Sequence, residues 1–544
     1  VPVAQYLTSP LAIDRVRAVR LATNARTFPR RNDGRYGGFV EGEQVAASEC
    51  QAFPGRRACK TRSAWNRVAR MIALVAAMCG PVILGGGFAN AAALTATTRL
   101  TSAPGTSGFL STASCADSWR GGTGLWYSAN WSAGVPNPNT PGPVCITVPG
   151  SDVTVSALEA GVNALVVGGN SGAPVKLNIV SSDKEGGALG FSKDSQIRPT
   201  GIVDVVSGPD AKTATSSFLA QNGATLTNDG RITTSGYEGF LNPDLVNEPD
   251  GTITIDARDT HTFCCTLINY GKITVDRGAA WTYYGTKFIQ SGGTFNNLGT
   301  MDVLGVTFDM TGGREMHHPI DLIGGSALDD ERTAGAGSFT LTGLNTISGV
   351  IPANQRVELL STPAVGTDTN LRSPSVTNDG TVLVEGSSGG LEGGSQLINN
   401  GTFSVMSAGP GLALAIQVTN DKGGKVHILG AGCIVNGPFT NRGTLTIAEG
   451  TDMQLNGFSF VEGGSSTLGL DVAGHGKTSK LSGQSKMSLS GTLQVTTIGS
   501  PAAGSSYTPI LGVSTLTGKF ANIVSPRTGY SVSYGATSVT LTAK

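Results

Sequence analysis

The sequence predicts an all-β fold: a single-stranded parallel β-helix (β-solenoid) with ~21-residue coils, a Trp-rich N-terminal cap and a β-rich C-terminal cap. Three observations predict it. One turn motif recurs at a fixed interval, apolar and polar residues alternate after each copy, and glycine, at 77 of 544 residues, is abundant without a Gly-X-Y period. That missing period, with only 25 prolines, excludes collagen. Apolar residues at 39% supply enough buried surface to offset chain entropy, so the chain as a whole is not disordered.

Residues 1–61 show neither helical nor strand periodicity and are expected to be a disordered leader or an overextended reading frame. Residues 62–93 read as a secretory signal peptide. Arg62, Arg67 and Arg70 precede the apolar run 71–84, and the small residues of 85–93 follow it, with cleavage expected after Ala91 or Ala93. The run is too short to span ~30 Å of hydrocarbon. Cys79 lacks a lipoprotein context, because Met78 stands where a small residue is wanted. No later stretch of 18 apolar residues occurs, so no integral membrane segment is expected after signal removal. The expected location is secreted, extracellular or cell-surface. Charge agrees with a removable leader: residues 1–70 carry 13 Lys+Arg against 5 Asp+Glu, leaving 25 against 33 for the remainder. A net-acidic folded body is not one that grips phosphate backbones, so no nucleic-acid partner is expected.

Residues 94–150 are expected to form the N-terminal cap. Trp119, Trp126 and Trp131 lie within 13 residues, where bulky groups would close the first coil, with sugar stacking as the alternative use. Cys115 and Cys145 could close a disulfide loop in an exported protein. Cys264, Cys265 and Cys433 show no Cys-x-x-Cys or paired-His spacing, so buried thiols are expected rather than metal ligands, and no cofactor is expected.

Residues 151–470 carry the solenoid. Asn378-Asp-Gly-Thr-Val-Leu-Val384, Asn399-Asn-Gly-Thr-Phe-Ser-Val405 and Asn441-Arg-Gly-Thr-Leu-Thr-Ile447 share one pattern, and with Asn420 they start 21 residues apart each time. The Asn420 copy absorbs a two-residue insertion in its turn. Earlier copies begin at Asn228, Pro249, Asn269 and Asn297, with intervals of 21, 20 and 28. Alternation after each turn means a strand with one face inward. The glycine is expected to supply a positive φ, and the asparagine to tolerate the turn. Units this short cannot bury their own inner face and must stack, which places equivalent asparagines ~4.8 Å apart in a hydrogen-bonding ladder. About 15 coils and ~70 Å of rod follow from that spacing. The interval between Asn297 and Asn378 breaks the rhythm and is expected to be an irregular charged loop.

Residues 471–544 alternate again, through Leu481–Val495, Tyr507–Leu511, Tyr530–Tyr534 and Val539–Leu541, as the C-terminal cap. This run resembles the closing region of autotransporter passenger domains and related secreted bacterial β-helix surface proteins, and Trp126–Pro136 resembles the opening of such repeat regions. The resemblance spans roughly residues 119–544 and implies a β-helix presented at a bacterial surface. Autotransporters continue into a membrane barrel of alternating strands, and the chain shows none before Lys544, so self-export is not expected.

Catalysis on a β-helix wants paired carboxylates, which stacked coils can supply one coil apart. Asp309, His317, His318, Asp321, Asp329 and Asp330, with Arg314, Glu315 and Glu331, are the candidate acid/base or metal-ligating cluster. The Gly474-His475-Gly476 and Asp329-Asp330 pairs echo polygalacturonase motifs but lie 144 residues apart without the companion elements. Calcium nonapeptides, a Gly-x-Ser-x-Gly elbow, a Walker loop and His-Glu-x-x-His are absent from the sequence. The expected function is a non-catalytic structural or adhesive rod making multivalent surface or carbohydrate contacts, as a monomer or an end-to-end assembly. A polysaccharide lyase or glycoside hydrolase with its site near Asp309–Glu331 is the alternative. Sparse aromatics over the rungs argue against deep sugar-stacking clefts.

Overall fold

The computed structural model describes residues 114–544 except 157–159, 182–185, 210–214, 264, 362–366, 373, 475–476 and 526–528. The expected leader and signal peptide, Cys79, Cys264 and the Gly474-His475-Gly476 centre lie wholly or partly outside the described residues. The described residues contain strands and no helix. They stack as a parallel β-solenoid of about 15 turns.

One coil shows how the alternation works. Strands Arg231–Ser235, Glu238–Asn242 and Asp244–Asn247 follow one another around the turn, and the next coil repeats them as Thr252–Ile255, Asp259–Phe263 and Thr266–Asn269. Each strand pairs in parallel with its equivalent, placing Ile232 beside Ile253 and Leu245 beside Leu267. Every second residue therefore points inward, and the inward set forms one continuous apolar core from Trp119 to Ala543. A period of two along the strand and one coil per stack is what lets so few residues per turn bury an apolar face.

The Asn-x-Gly corners form two ladders inside the solenoid. Asn228 Nδ2 donates to Asn247 Oδ1 at 2.7 Å, Asn247 to Asn269 at 2.7 Å, and Asn269 to Gln290 Oε1 at 2.9 Å. The second runs Asn378, Asn399, Asn420, Asn441, each donating to the next at 2.7 Å, and ends on Glu462 Oε1 at 2.8 Å. The copy placed at Pro249 thus begins at Asn247, with the same two-residue turn insertion seen after Asn420.

The glycine of the motif works differently from expectation. Gly271, Gly380, Gly401 and Gly443 are not among the positive-φ residues. A Cβ on Gly401 would instead run into the Gly380 carbonyl of the coil below, and one on Gly443 into the Gly424 carbonyl. Close stacking of backbone on backbone, not left-handed φ, requires glycine here. Gly401→Ala is therefore expected to lower stability by about 1–3 kcal/mol through overpacking, read as the shift in urea midpoint. An unchanged midpoint would show that the corner relaxes freely.

Between Asn297 and Asn378 the described residues do not form the expected loop. They form strands Arg314–His317, Ile320–Ile323, Ala327–Asp330, Gly337–Thr342, Thr346–Ile351 and Gln355–Ser361, all within the stack. The rhythm breaks because the strand pattern changes. The nine-stranded sheet of first strands ends at Arg314–His317, while Thr300–Leu304 continues through Ile320–Ile323, Gly337–Thr342 and Gln355–Ser361 into Thr381–Asn399. Asn297 accordingly belongs to neither ladder. It closes the first strand of its coil, and its Nδ2 donates to the His318 and Pro319 carbonyls.

The ends differ in construction. Trp119, Trp126 and Trp131 are fully buried and packed edge to face, with the Trp131 indole donating to the Trp126 carbonyl at 2.7 Å. No ring of the three is left open for sugar stacking. Cys115, two residues before strand Asp117–Ser118, forms a disulfide with Cys145 of the partner strand Pro143–Ile146. At the other end, Tyr530–Tyr534 and Val539–Ala543 form an antiparallel pair that adds to Ser506–Leu511. A change from parallel to antiparallel pairing ends propagation of the stack and shields its edge.

Candidate functional site

Outward residues of the second and third strands stack in register into columns along the solenoid. One column is Phe240, His261, Thr282, Asp302, Asp321 and Thr340. Its neighbour around the bend is Ile268, Ile289, Asp309, Asp329 and Ser348. Although these side chains point away from the core, Phe240, Asp302 and Asp309 are only 7%, 8% and 9% exposed. Neighbouring side chains therefore cover much of this outer face, where the chain turns from second to third strand at Gly305, which takes positive φ.

The aspartates of the expected cluster separate into two sets. Asp309, Asp321 and Asp329 lie on the two outward columns, joined by Asp302, which sequence reasoning missed. Asp309 is paired with Lys287 Nζ at 2.6 Å, and Asp329 accepts the Ser348 hydroxyl at 2.8 Å. Asp330 points the opposite way, as alternation demands, into the core beside Met310. There Gln355 Nε2 donates to it at 3.2 Å, and burial, with Asp329 and Asp309 adding, holds its carboxyl well above the usual range. Glu315 is also interior. Burial raises it to about 7 against the opposing bond from the Ser338 N–H at 2.7 Å. His317, at φ 82°, and His318 sit exposed at the corner before Ile320–Ile323. Among the described residues no group of three His, Cys, Asp or Glu is placed to hold a metal ion.

Toward the N-terminal side of the same face lies a ring stack. Phe263 and Tyr284 stack at 5.0 Å and 6°, His261 and Phe263 stack at 5.8 Å and 21°, and Phe240 and His261 are tilted at 5.6 Å and 30°. Neighbouring coils impose this, since equivalent positions are one strand spacing apart. His261 Nε2 lies 3.4 Å from Asp259 and 3.8 Å from Glu238. Burial works against its charge, but the hydrogen bond and charge of Asp259 and the charge of Glu238 outweigh it and raise its pKa. Burial, with Asp259 and Asp302 adding, pushes the Tyr284 phenol up to about 12, so it stays protonated. The offsets 240 to 261 and 263 to 284 are each one 21-residue coil, a signal that was present in the sequence.

Of the two cysteines outside the disulfide in the described residues, Cys265 and Cys433, both are buried, and burial raises Cys433 to about 12, with Asp452 adding. That is an inert thiol. No protein-family model matches the chain, and no curated protein matches it. Among solved structures, the crystal structure of the Haemophilus influenzae Hap adhesin is similar at 11% identity and a TM-score of 0.25. The match covers 77% of this chain and 66% of that one, so the chain spans just under two thirds of it. A likeness this distant transfers no residue and no role. No helix among the described residues is long and apolar enough to cross a membrane.

Proposed function

We propose that this solenoid is a secreted or cell-surface structural and adhesive protein that makes multivalent carbohydrate or surface contacts along its side without catalysing a reaction. The observation that carries the reading is the outer face of the second and third strands, where outward polar and aromatic groups that the core does not use stand in register across stacked coils. Coils locked by backbone pairing and internal ladders hold that face rigid, and many weak contacts on a rigid face multiply into avidity. Immobilised polysaccharides tested at several surface densities are expected to retain the protein increasingly with density, while releasing no reducing ends or unsaturated sugars.

A hydrolase or lyase reading draws on one observation, the register of Asp309 and Asp329 on adjacent coils. Their ~4.8 Å strand spacing is close to the separation of a retaining carboxylate pair. A general acid must, however, keep its proton where substrate can reach it. The carboxyls of the cluster whose affinity for a proton is raised, Asp330 and Glu315, both face the interior. Release of sugar products that disappears in Asp329→Asn would overturn the adhesive reading in favour of this one.

A further inference from the structure

The nine-stranded sheet of first strands, from Thr123–Leu125 to Arg314–His317, turns two columns of side chains outward. One runs Lys176, Ile202, Arg231, Thr252, Lys272, Thr294 and Arg314 in register. A cation therefore recurs at every second coil, as Lys176, Arg231, Lys272 and Arg314. All of these are exposed, and among the described residues no ion pair or side-chain hydrogen bond holds them. Beside the stretch from Arg231 to Arg314 the second column runs Thr233, Thr254, Thr274, Asn296 and Met316, so these coils offer cations, hydroxyls and an amide and no carboxylate in either column. Carboxylates stand at the margins instead. Asp229 and Asp250 precede the strands, Asp256 and Asp276 follow them, and the charge of Asp276 reaches Lys272. Asp152 and Asp204 occupy the columns nearer the N-terminal cap, where Asp152 accepts from Asn178 Nδ2 at 2.6 Å.

Resting on the surface-contact reading above but placed on another sheet, we propose that this face binds a linear acidic polysaccharide that carries one uronate per disaccharide. Charge complementarity identifies the occupant: on a net-acidic body, a file of exposed cations without internal partners keeps its charge for an external anion. Spacing sets the repeat. Coils advance by ~4.8 Å, so successive cations stand ~9.6 Å apart. One hexose of an extended chain spans about one coil, and an acid on alternate sugars therefore returns with every second coil. Thr252, Thr294 and the threonine column offer hydroxyls to the neutral sugar between. The single file sets the shape, because a bilayer or another broad anionic surface would also meet the marginal carboxylates. A nucleic acid, charged at every nucleotide, would bring phosphates against threonines as often as against cations. Each exposed contact is weak, and several in step add.

Titration calorimetry of the full chain with hyaluronan oligosaccharides, which carry glucuronate on alternate sugars, tests the proposal. The octasaccharide is expected to bind about fivefold or more tighter than the tetrasaccharide, because it reaches further cations, and to weaken as salt is added. The carboxyl-reduced octasaccharide and an oligothymidylate of the same length are expected to bind about tenfold more weakly. Lys272→Thr combined with Thr252→Lys keeps the net charge but breaks the alternation, and should weaken the octasaccharide by about threefold or more. Lys480→Thr, an exposed cation on another sheet, should leave it unchanged. Equal binding of the native and reduced octasaccharides, no gain with length, undiminished binding in the folded rearranged variant, or tighter binding of the oligothymidylate overturns the proposal. Retention on other immobilised polysaccharides without hyaluronan binding removes this inference alone, whereas retention on none removes the surface-contact reading as well. The length and carboxyl-reduction series need no variant, so they remain decisive if the rearranged protein fails to fold.

Discussion

Asn420→Ala is expected to lower the unfolding free energy by about 3–5 kcal/mol, the largest loss of any single side chain considered. Asn420 accepts from Asn399 and donates to Asn441 Oδ1 and to the Thr444 carbonyl, at 2.7 and 3.1 Å. It is fully buried, so water cannot replace it. Truncation orphans the Asn441 acceptor, strips one bond from the Asn399 donor, frees the Thr444 carbonyl and leaves a void. Each orphaned buried group costs about 1–3 kcal/mol. Asn400, one residue past the ladder in an equivalent corner, donates to Asp379 at 2.8 Å but is exposed. Its replacement by Ala should change stability by no more than about 0.5 kcal/mol. Urea unfolding followed by circular dichroism separates the two, and similar midpoints for both variants would show that the ladder contributes little.

Glu462→Gln should stabilise the protein by an amount that grows as pH rises from about 4.5 and levels off above about 7. Glu462 terminates the second ladder at the place where Gln290 terminates the first, accepting from Asn441 and from the Ser466 hydroxyl at 2.9 Å. Burial raises its carboxyl to about 7, with those two hydrogen bonds opposing. A carboxyl with a raised folded pKa binds more protons folded than unfolded between about 4.5 and 7, so stability falls as pH climbs through that window and then levels off. The full loss corresponds to about 3 kcal/mol at pH 8, and none of it is present at pH 4. Glutamine cannot ionise, so the variant should melt higher than its parent at pH 8 and alike at pH 4. Glu315, raised in the same direction, leaves a residual slope of the same sign in both proteins. Parallel melting-against-pH curves would mean that Glu462 is charged in the fold without penalty.

Repeats were legible where one residue type served one corner. Asn378, Asn399 and Asn441 stand in line because each Asn-x-Gly turn delivers its asparagine inward at the end of a third strand. Gln290 and Glu462 fill the same place with other side chains and escaped a search for asparagine, although 441 plus one coil lands on Glu462. Asn297 misled in the opposite way, by carrying the motif at the end of a first strand. Acidic residues of the candidate cluster were found as types but not as directions. Asp329 and Asp330 are adjacent in sequence and lie on opposite sides of the wall.

The amino-acid order alone determined the coil, its inward alternation and the capped ends, because strand period and turn chemistry are local properties of a few consecutive residues. Which outward residues share a corner was decided only by the tertiary structure. Coil lengths vary, and between residues 297 and 378 one column of strands ends while its neighbour takes over the leading position, so distance along the chain no longer reports position on the surface. Side-chain neighbours across coils follow from backbone pairing, and that pairing is settled by how each turn packs on the one beneath it.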